Sequence, residues 1–241
     1  MQPVDTSGAL PCAAMDFDTA EARATTGNQS ALRLVHSAPA TVDGLPSSLW
    51  AGLMGGHLEL RHELSPEVPW IVWFRERARP GPDIPERESQ ILERVLSGDQ
   101  QKTIALDLGV SEATVSGRLA RGLGNLGLVR RTVPLVVAVV ACARSIGVSL
   151  PPSRCEVFSA GDSRFRRVAL PAPTLAAARA LTGAQRAVAC MLLEGRSRAE
   201  MAAQRATSVS TIAVQLTSLY TTMGASGRFA LLRRVLSENL W

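Results

Sequence analysis

The chain has 241 residues, of which 46% are hydrophobic and 20% are charged, and its formal net charge is +5. This hydrophobic content is enough to bury one large core or two small ones, which excludes a disordered or a fibrous protein. The isoelectric point near 9.7 suits a polyanionic partner, although basicity alone does not identify one.

The cysteines and the lack of long apolar segments indicate the compartment. The cysteines lie too far apart for a C-x-x-C metal or redox motif, so we expect reduced thiols in or near the core. They are Cys12, Cys142, Cys155 and Cys190. The first residues lack the basic and apolar regions of a secretion signal, and no run reaches the roughly 18 apolar residues that span a bilayer. We therefore expect a cytoplasmic protein.

The first third of the chain divides into an arm and a predicted β-hairpin. Residues 1–46 are rich in Ala, Thr, Ser, Asp and Gly and predict a loosely ordered arm, with one helix-compatible segment at 30–36. Residues 47–79 contain two partly alternating runs separated by turn residues, which predict a hairpin. Its aromatic side chains predict a local core against a helix, with a small-molecule pocket as the alternative. They are Trp50, Trp70, Trp73 and Phe74.

Proline-rich linkers separate the remaining segments. A first helical domain is predicted at 84–147 and a second at 174–241. Between them, residues 148–173 predict a second hairpin that turns at Gly161 and Asp162. The apolar run VPLVVAVVACA at 133–143 predicts a helix buried inside the fold or against a partner. The predicted fold class is mainly α with two small β-hairpins, an α+β protein.

The two helical domains resemble each other in sequence. The segment from Ile84 aligns without a gap to the segment from Leu181, an offset of 181 − 84 = 97 positions. The matches fall at small and apolar positions that a fold needs, and they predict a duplicated unit of one hairpin and four helices. The matched pairs are Gly98 and Gly195, Ala105 and Ala202, Ser111 and Ser208, Thr114 and Thr211, Val115 and Ile212, Leu119 and Leu216, and Gly127 and Gly224.

Local signals in the first domain describe a helix-turn-helix. Helices are predicted over 86–96 and 101–108, and a third begins after a serine that can cap it. An alanine in the second helix permits a close crossing, and a glycine suits the positive φ of the turn. The spacing of these residues is that of a helix-turn-helix. They are Gly98, Ala105, Gly109, Ser111, Glu112 and Val115.

The outer side of the third helix is the predicted DNA-contact surface. With Val115 and Leu119 facing the core, Arg118 is the best candidate for a base or phosphate contact. Cations beside or beyond this helix are better placed to contact phosphates than base edges. The predicted DNA-binding residues of the first domain are Lys102, Ser111, Thr114, Ser116, Arg118, Arg121, Arg130 and Arg131.

These motifs resemble the DNA-binding domain of LuxR-type (NarL/FixJ-like) bacterial transcription regulators. The resemblance covers about 60 residues of each helical domain and implies a four-helix domain whose third helix enters the major groove. It also implies dimerisation through the fourth helix, which would make 133–143 the interface of a homodimer or of an intramolecular pseudo-dimer. The matching residues are Ile84, Arg87, Glu88, Gly98, Ala105, Leu108, Gly109, Ser111, Thr114, Val115, Leu126 and Gly127.

The first domain departs from this family on its exposed side. Ser116 and Arg118 stand where the family commonly has a lysine and a histidine, so no base preference is transferred. Gly117, Gly122 and Gly124 weaken the third helix, each by up to about 1 kcal/mol relative to alanine.

The second domain departs further. Gln185, Arg205 and Ala206 replace family residues, and its third helix has no Lys or Arg before Arg228. It either binds DNA or has become a packing or dimerisation module. The DNA-binding residues predicted for it are Ser208, Thr211, Gln215 and Arg228.

The main functional hypothesis is a sequence-specific, double-stranded-DNA-binding transcription regulator with tandem helix-turn-helix units. Two alternatives stay open. SEATVSGRLARGL also resembles a sigma-factor promoter-reading helix, whose partner would be RNA polymerase, and both domains could instead bind proteins rather than DNA.

No motif of an enzyme or of a cofactor site is present. A nucleotide loop and a nucleophile elbow are missing. His57 and His62, with His36 nearby, lack a third ligand and predict solvated side chains rather than a metal site. We therefore expect no catalytic residue, no cofactor and no metal.

Overall fold

The computed structural model describes residues 33–36, 45–61, 70–128, 130, 133–151 and 153–241. These residues form nine helices and five strands. In chain order they are β1 (Arg33–His36), α1 (Leu45–Met54), β2 (Leu58–Arg61), β3 (Ile71–Glu76), α2 (Glu86–Leu96), α3 (Gln101–Leu108), α4 (Glu112–Asn125), α5 (Leu135–Ile146), β4 (Arg154–Ala160), β5 (Ser163–Ala169), α6 (Gly183–Leu193), α7 (Arg198–Gln204), α8 (Val209–Met223) and α9 (Arg228–Ser237).

The strands form one antiparallel sheet in the order β1-β4-β5-β3-β2. Both predicted hairpins are present, as β2 with β3 and as β4 with β5, and the second turns at Gly161 and Asp162. They are not separate: β3 pairs with β5, with Ile71 opposite Ala169 and Glu76 opposite Arg164. Because an isolated two-stranded hairpin is marginally stable, the two hairpins stabilise each other through this central pairing.

Two predictions for the first third of the chain are wrong. The first run of the predicted hairpin begins as a helix, α1, whose apolar residues Leu49, Trp50 and Leu53 are buried. Their spacing fits one face of a helix better than the alternation of a strand. The segment predicted to be helix-compatible contains strand β1, which pairs with β4. The rest of the predicted arm before α1 lies outside the described residues.

The first helical unit, α2 to α5, follows the sequence signals closely. Helices α2 and α3 have the predicted bounds, and Gly109 ends α3 with φ 61°. The Ser111 hydroxyl accepts a hydrogen bond from the Thr114 amide at 3.1 Å and caps α4. This cap satisfies one of the free N–H groups at the helix start. Ala105 is buried where α3 and α4 pack together.

In the second helical unit, α6 to α9, the first three helices begin 97 positions after those of the first unit, and the fourth begins 93 positions after α5. The Ser208 hydroxyl accepts from the Thr211 amide at 3.0 Å, as Ser111 does in the first unit. Ala206 has φ 49° at the position of Gly109, so the left-handed turn is kept although the glycine is not.

The apolar helix α5 lies at the centre of the molecule. Its residues 135–143 are all buried, and it packs against α1, α2 and α9. Its burial inside the fold is as predicted, and the two helical units share one hydrophobic core. The α5 surface is covered by the chain itself, which leaves no exposed apolar face on it for a second chain.

The described cysteines Cys142, Cys155 and Cys190 are buried and form no disulfide, as expected. Burial raises the pKa of Cys142 to about 12. Within the described ranges, no helix is both long enough and apolar enough to cross a bilayer.

Candidate nucleic-acid interface

Helix α4 has one buried and one exposed side. Val115, Leu119 and Leu123 face the core, where α4 packs against α2 and α3. Along the middle of the opposite side, every fourth or third residue is small and exposed. These residues are Ala113, Gly117, Ala120 and Gly124. The backbone of α4 is therefore accessible along its outer side, with longer side chains only at its flanks.

Two arginines lie along one edge of this row of small residues and differ in their contacts. Arg118 is half-exposed and makes no hydrogen bond or ion pair with any residue that the structure describes. Arg121 donates from Nε to Glu88 Oε1 at 3.2 Å, and its side chain is 68% exposed whereas that of Glu88 is 12% exposed. Glu88 thus orients Arg121 and leaves its other guanidinium nitrogens toward solvent. The sequence placed Glu88 in a family motif but did not predict this pairing.

The remaining predicted residues of the first unit lie at the ends of these helices. Ser111 Oγ is 2.9 Å from Thr114 Oγ1, so both hydroxyls take part in the cap of α4. Ser116 is exposed on α4, Lys102 is exposed in the first turn of α3, and Arg130 is exposed beyond α4. Arg131 is outside the described part of the chain. The exposed cations therefore lie on or flank the helix-turn-helix.

A close crossing of α2 and α4 sets the angle at which α4 is held. A Cβ atom on Gly122 would lie 2.7 Å from Leu92 Cδ1. At the same crossing in the second unit, offset by 97 positions, Leu219 replaces the glycine and Ala189 replaces the leucine. Both of those residues are buried. Relative to Leu92 and Gly122, the large and the small residue therefore lie on opposite helices in the second unit.

The exposed side of α8 differs from that of α4 in chemistry. Ile212, Leu216 and Leu219 face the core, and no residue from Val209 to Met223 is charged. Gln185 Nε2 donates to Ser218 Oγ at 3.0 Å, at the positions equivalent to Glu88 and Arg121. A side-chain hydrogen bond thus links the first and third helix in both units, and in the second unit neither partner is charged.

The predicted DNA-binding residues of the second unit have different environments. Ser208 and Thr211 form the cap of α8, and both are exposed. Gln215 is half-buried, and its Oε1 is buried without a hydrogen-bond donor. Arg198 is exposed at the start of α7, and Arg196 lies 3.6 Å from Glu194.

Arg228 does not face outward as the predicted phosphate contact requires. Its Nε and Nη2 donate to Leu193 O at 3.1 and 2.7 Å, and its Nη1 donates to Val133 O at 3.0 Å. Burial lowers the pKa of Arg228 to about 10. The guanidinium satisfies carbonyls at the end of α6 and just before α5, so this side chain joins the two units. Its position at the start of α9 could not reveal this, because the sequence does not show which carbonyls lie within reach.

The aromatic residues of the first hairpin lie in the core rather than around a pocket. Trp50 and Phe74 are buried between the sheet and the helices, as the local-core prediction requires. On the other face of the sheet, the rings of Trp73 and Phe158 lie 5.2 Å apart, beside Arg167.

The histidines form no metal cluster in the part of the chain that the structure describes. His57 is exposed, while His62 and the side chain of His36 lie outside that part. No group of three potential metal ligands occurs among the described residues.

Comparison with known proteins identifies part of the first helical unit. Residues 84–137 match the family model described as bacterial regulatory proteins, luxR family. The matched residues comprise α2, α3, α4 and the start of α5. No match was found to a curated protein or to a solved structure.

Proposed function

We propose that this chain, which carries a luxR-family helix-turn-helix domain at residues 84–137, is a sequence-specific regulator of transcription that binds double-stranded DNA through α4. The observation that carries the proposal is the outer side of α4, where Arg118 and Arg121 lie along one edge of a row of small residues. A groove-binding helix needs such an arrangement, because arginine reads guanine in the major groove and small residues let the backbone lie close to the base edges.

The two arginines have distinct roles in this proposal. Arg118 has no partner among the described residues, so its guanidinium can turn toward a base or a phosphate. Arg121 is oriented by the hydrogen bond from its Nε to Glu88, which leaves its Nη atoms for a contact with DNA. Lys102 and Arg130 bind phosphates on either side, and the capped N-terminus of α4 adds its free N–H groups.

We also propose that the second unit binds the same duplex, so that one chain presents two recognition helices as a dimer would. The contact of α5 with α9, the fourth helices of the two units, supports this arrangement. Asp99 Oδ1 accepts from Arg233 Nη1 at 2.9 Å, and Arg228 binds Val133 O, so polar contacts also join the units. Two recognition helices held in this way would meet half-sites about one DNA turn apart.

A protein-interaction function is the second candidate. The observation that favours it is the uncharged outer side of α8, because an uncharged surface loses little hydration when a protein covers it. RNA polymerase is one partner that a promoter-recognition protein would require.

The experiment that tests DNA binding replaces Arg118 and Arg121 with alanine. We expect the double variant to bind its selected duplex about tenfold or more weakly, because each arginine contact contributes about 1–3 kcal/mol. Fluorescence anisotropy measures the affinity at several salt concentrations, and we expect the dependence on salt to become less steep.

The matched control replaces Arg75 and Arg164, which lie on the sheet, and removes the same charge. We expect this control to bind like the parent protein. Equal affinity of the parent and the Arg118 and Arg121 variant would contradict the role of α4.

A further inference from the structure

The outer side of α8 carries a row of four side chains that is uncharged and rich in methyl groups. Ser210, Val214, Thr217 and Thr221 follow one another at helical spacing, and Val214 is 70% exposed. They lie opposite the buried Ile212, Leu216 and Leu219. Two of the three large apolar side chains that are exposed among the described residues, Val209 and Val214, lie on α8, and the third is Leu106.

The threonines of this row use their hydroxyl groups within the helix. Thr217 Oγ1 donates to Ala213 O at 3.1 Å, and Thr221 Oγ1 donates to Thr217 O at 3.0 Å. With the hydroxyl protons engaged, the groups left for an outside partner are mainly the methyl groups. Val214, Thr217 and Thr221 therefore form an apolar row on an uncharged helix.

We propose that this row reads A·T base pairs by contact with thymine methyl groups in the major groove. This inference rests on the proposed function, because it requires α8 to enter a groove as α4 does. The thymine methyl is the one apolar group that a natural base pair displays there, and apolar side chains recognise it. Val214 is the principal contact, because it lies in the N-terminal half of α8, the part that reaches base edges, and Thr217, just past the middle of the helix, is the next residue of the row.

The difference between the outer sides of α4 and α8 predicts an asymmetric DNA site. The first unit has Arg118 and Arg121 where the second has Gln215 and Ser218, so the third helix carries guanine-reading arginines in the first unit and none in the second. The two half-sites bound by one chain then differ: α4 selects a half-site that contains G·C pairs, and α8 selects one that consists of A·T pairs. A palindromic site would leave one of the two helices against the wrong bases.

The first experiment is a selection of binding sites from random duplex DNA with the full chain. We expect an asymmetric site, with conserved G·C pairs in one half and conserved A·T pairs in the other. A palindromic consensus, or a single conserved half-site that contains G·C pairs, would overturn this inference and leave the proposed function of α4 intact. Selection of no specific sequence would overturn both.

The second experiment removes the methyl groups from the DNA. Each thymine of the A·T half-site is replaced by deoxyuridine, which keeps every hydrogen-bonding group and lacks the 5-methyl. We expect the parent protein to lose about fourfold in affinity for each contacted methyl, the effect of one buried methyl-sized group. Deoxyuridine in the other half-site should have no effect.

Matched variants assign the loss to the proposed side chains. Val214→Ala and Thr217→Ser each remove methyl groups, and Thr217→Ser keeps the hydroxyl. We expect each to bind the parent duplex more weakly and to lose less on deoxyuridine substitution, whereas Thr222→Ser, off the row on the same helix, behaves like the parent. Full sensitivity to deoxyuridine in the Val214→Ala and Thr217→Ser variants would overturn the assignment.

Discussion

The turn between the second and third helices of each unit is set by one residue in the left-handed region. Gly109 has φ 61° and Ala206 has φ 49°. An alanine in this region costs about 1–2 kcal/mol, because its Cβ approaches the following carbonyl oxygen, and a glycine lacks that contact. No atom lies within 4 Å of a Cβ built on Gly109, so the backbone alone decides the energy there.

Exchanging the residue types at this turn should change stability in opposite directions. We expect Gly109→Ala to lower the free energy of unfolding by about 1 kcal/mol and Ala206→Gly to raise it by up to that amount. Urea denaturation followed by circular dichroism measures both. Destabilisation by Ala206→Gly would show that Ala206 is not strained in the folded protein.

At the scale of single residues, the sequence predicted the backbone better than the environment of the side chains. The caps at Ser111 and Ser208 and the turn at Gly109 depend on neighbouring residues, so local patterns were sufficient. The inward guanidinium of Arg228 and the pairing of Arg121 with Glu88 depend on segments distant in the chain. The spacing of residues along the chain does not indicate such contacts, because they form only when the helices pack together.

At the scale of helices, the crossing of the first and third helix is filled in two different ways. In the first unit, Leu92 on α2 faces Gly122 on α4. The corresponding positions of the second unit, offset by 97, are Ala189 on α6 and Leu219 on α8, and both are buried. A glycine in a helix costs about 1 kcal/mol relative to alanine. Gly122 thus lowers the helix propensity of α4, but its missing side chain gives room to Leu92.

This exchange can be tested by transferring the pair of the second unit into the first. We expect Leu92→Ala to cost about 2–5 kcal/mol through the cavity it leaves, and Gly122→Leu to cost about 1–3 kcal/mol through overpacking. The double variant should be more stable than the sum of the two effects predicts, by at least about 1 kcal/mol.

A control for this cycle uses Gly124, which has no atom near its Cβ position. Gly124→Leu combined with Leu92→Ala should be additive within about 0.5 kcal/mol. Additivity in the Gly122 cycle as well would contradict the proposed exchange. Chemical denaturation of the four proteins of each cycle measures the coupling.

Helix positions were predicted more reliably than strand pairings. Helices α2 and α3 have the predicted bounds because their periodicity, caps and terminal glycines are local signals. The pairing of β3 with β5 joins residues about 90 positions apart, and no local pattern encodes it. The prediction of a strand for the α1 segment is wrong, because Leu49, Trp50 and Leu53 follow the spacing of a helix.

For the molecule as a whole, the central feature is that the two helical units are not independent. Helix α5 of the first unit packs against α9 of the second, and Gly98 lies so close to the start of α9 that a Cβ there would be 2.7 Å from Ala230 Cα. Arg228 adds hydrogen bonds to a carbonyl of each unit. These contacts hold both third helices on one shared core.

One shared core predicts one cooperative unfolding transition. We expect a single calorimetric transition for the full chain and a loss of about 1–3 kcal/mol in Arg228→Met, which leaves buried carbonyls without donors. Arg234→Met, on the same helix in an exposed ion pair with Glu238, should change stability by less than about 1 kcal/mol. Two separated transitions in the parent protein would show that the units fold independently.

The measurement that tests the central claim most directly is a footprint of the complex of one chain with one selected duplex. Sedimentation establishes the 1:1 stoichiometry. Interference by methylation of guanine N7 identifies major-groove contacts at G·C pairs, and interference by deoxyuridine substitution identifies contacts to thymine methyl groups. If one chain reads DNA with both α4 and α8, the protected positions form two major-groove segments about one helical turn apart, roughly 10 base pairs centre to centre. A single protected segment in the 1:1 complex, or two segments that require two chains, would contradict the claim.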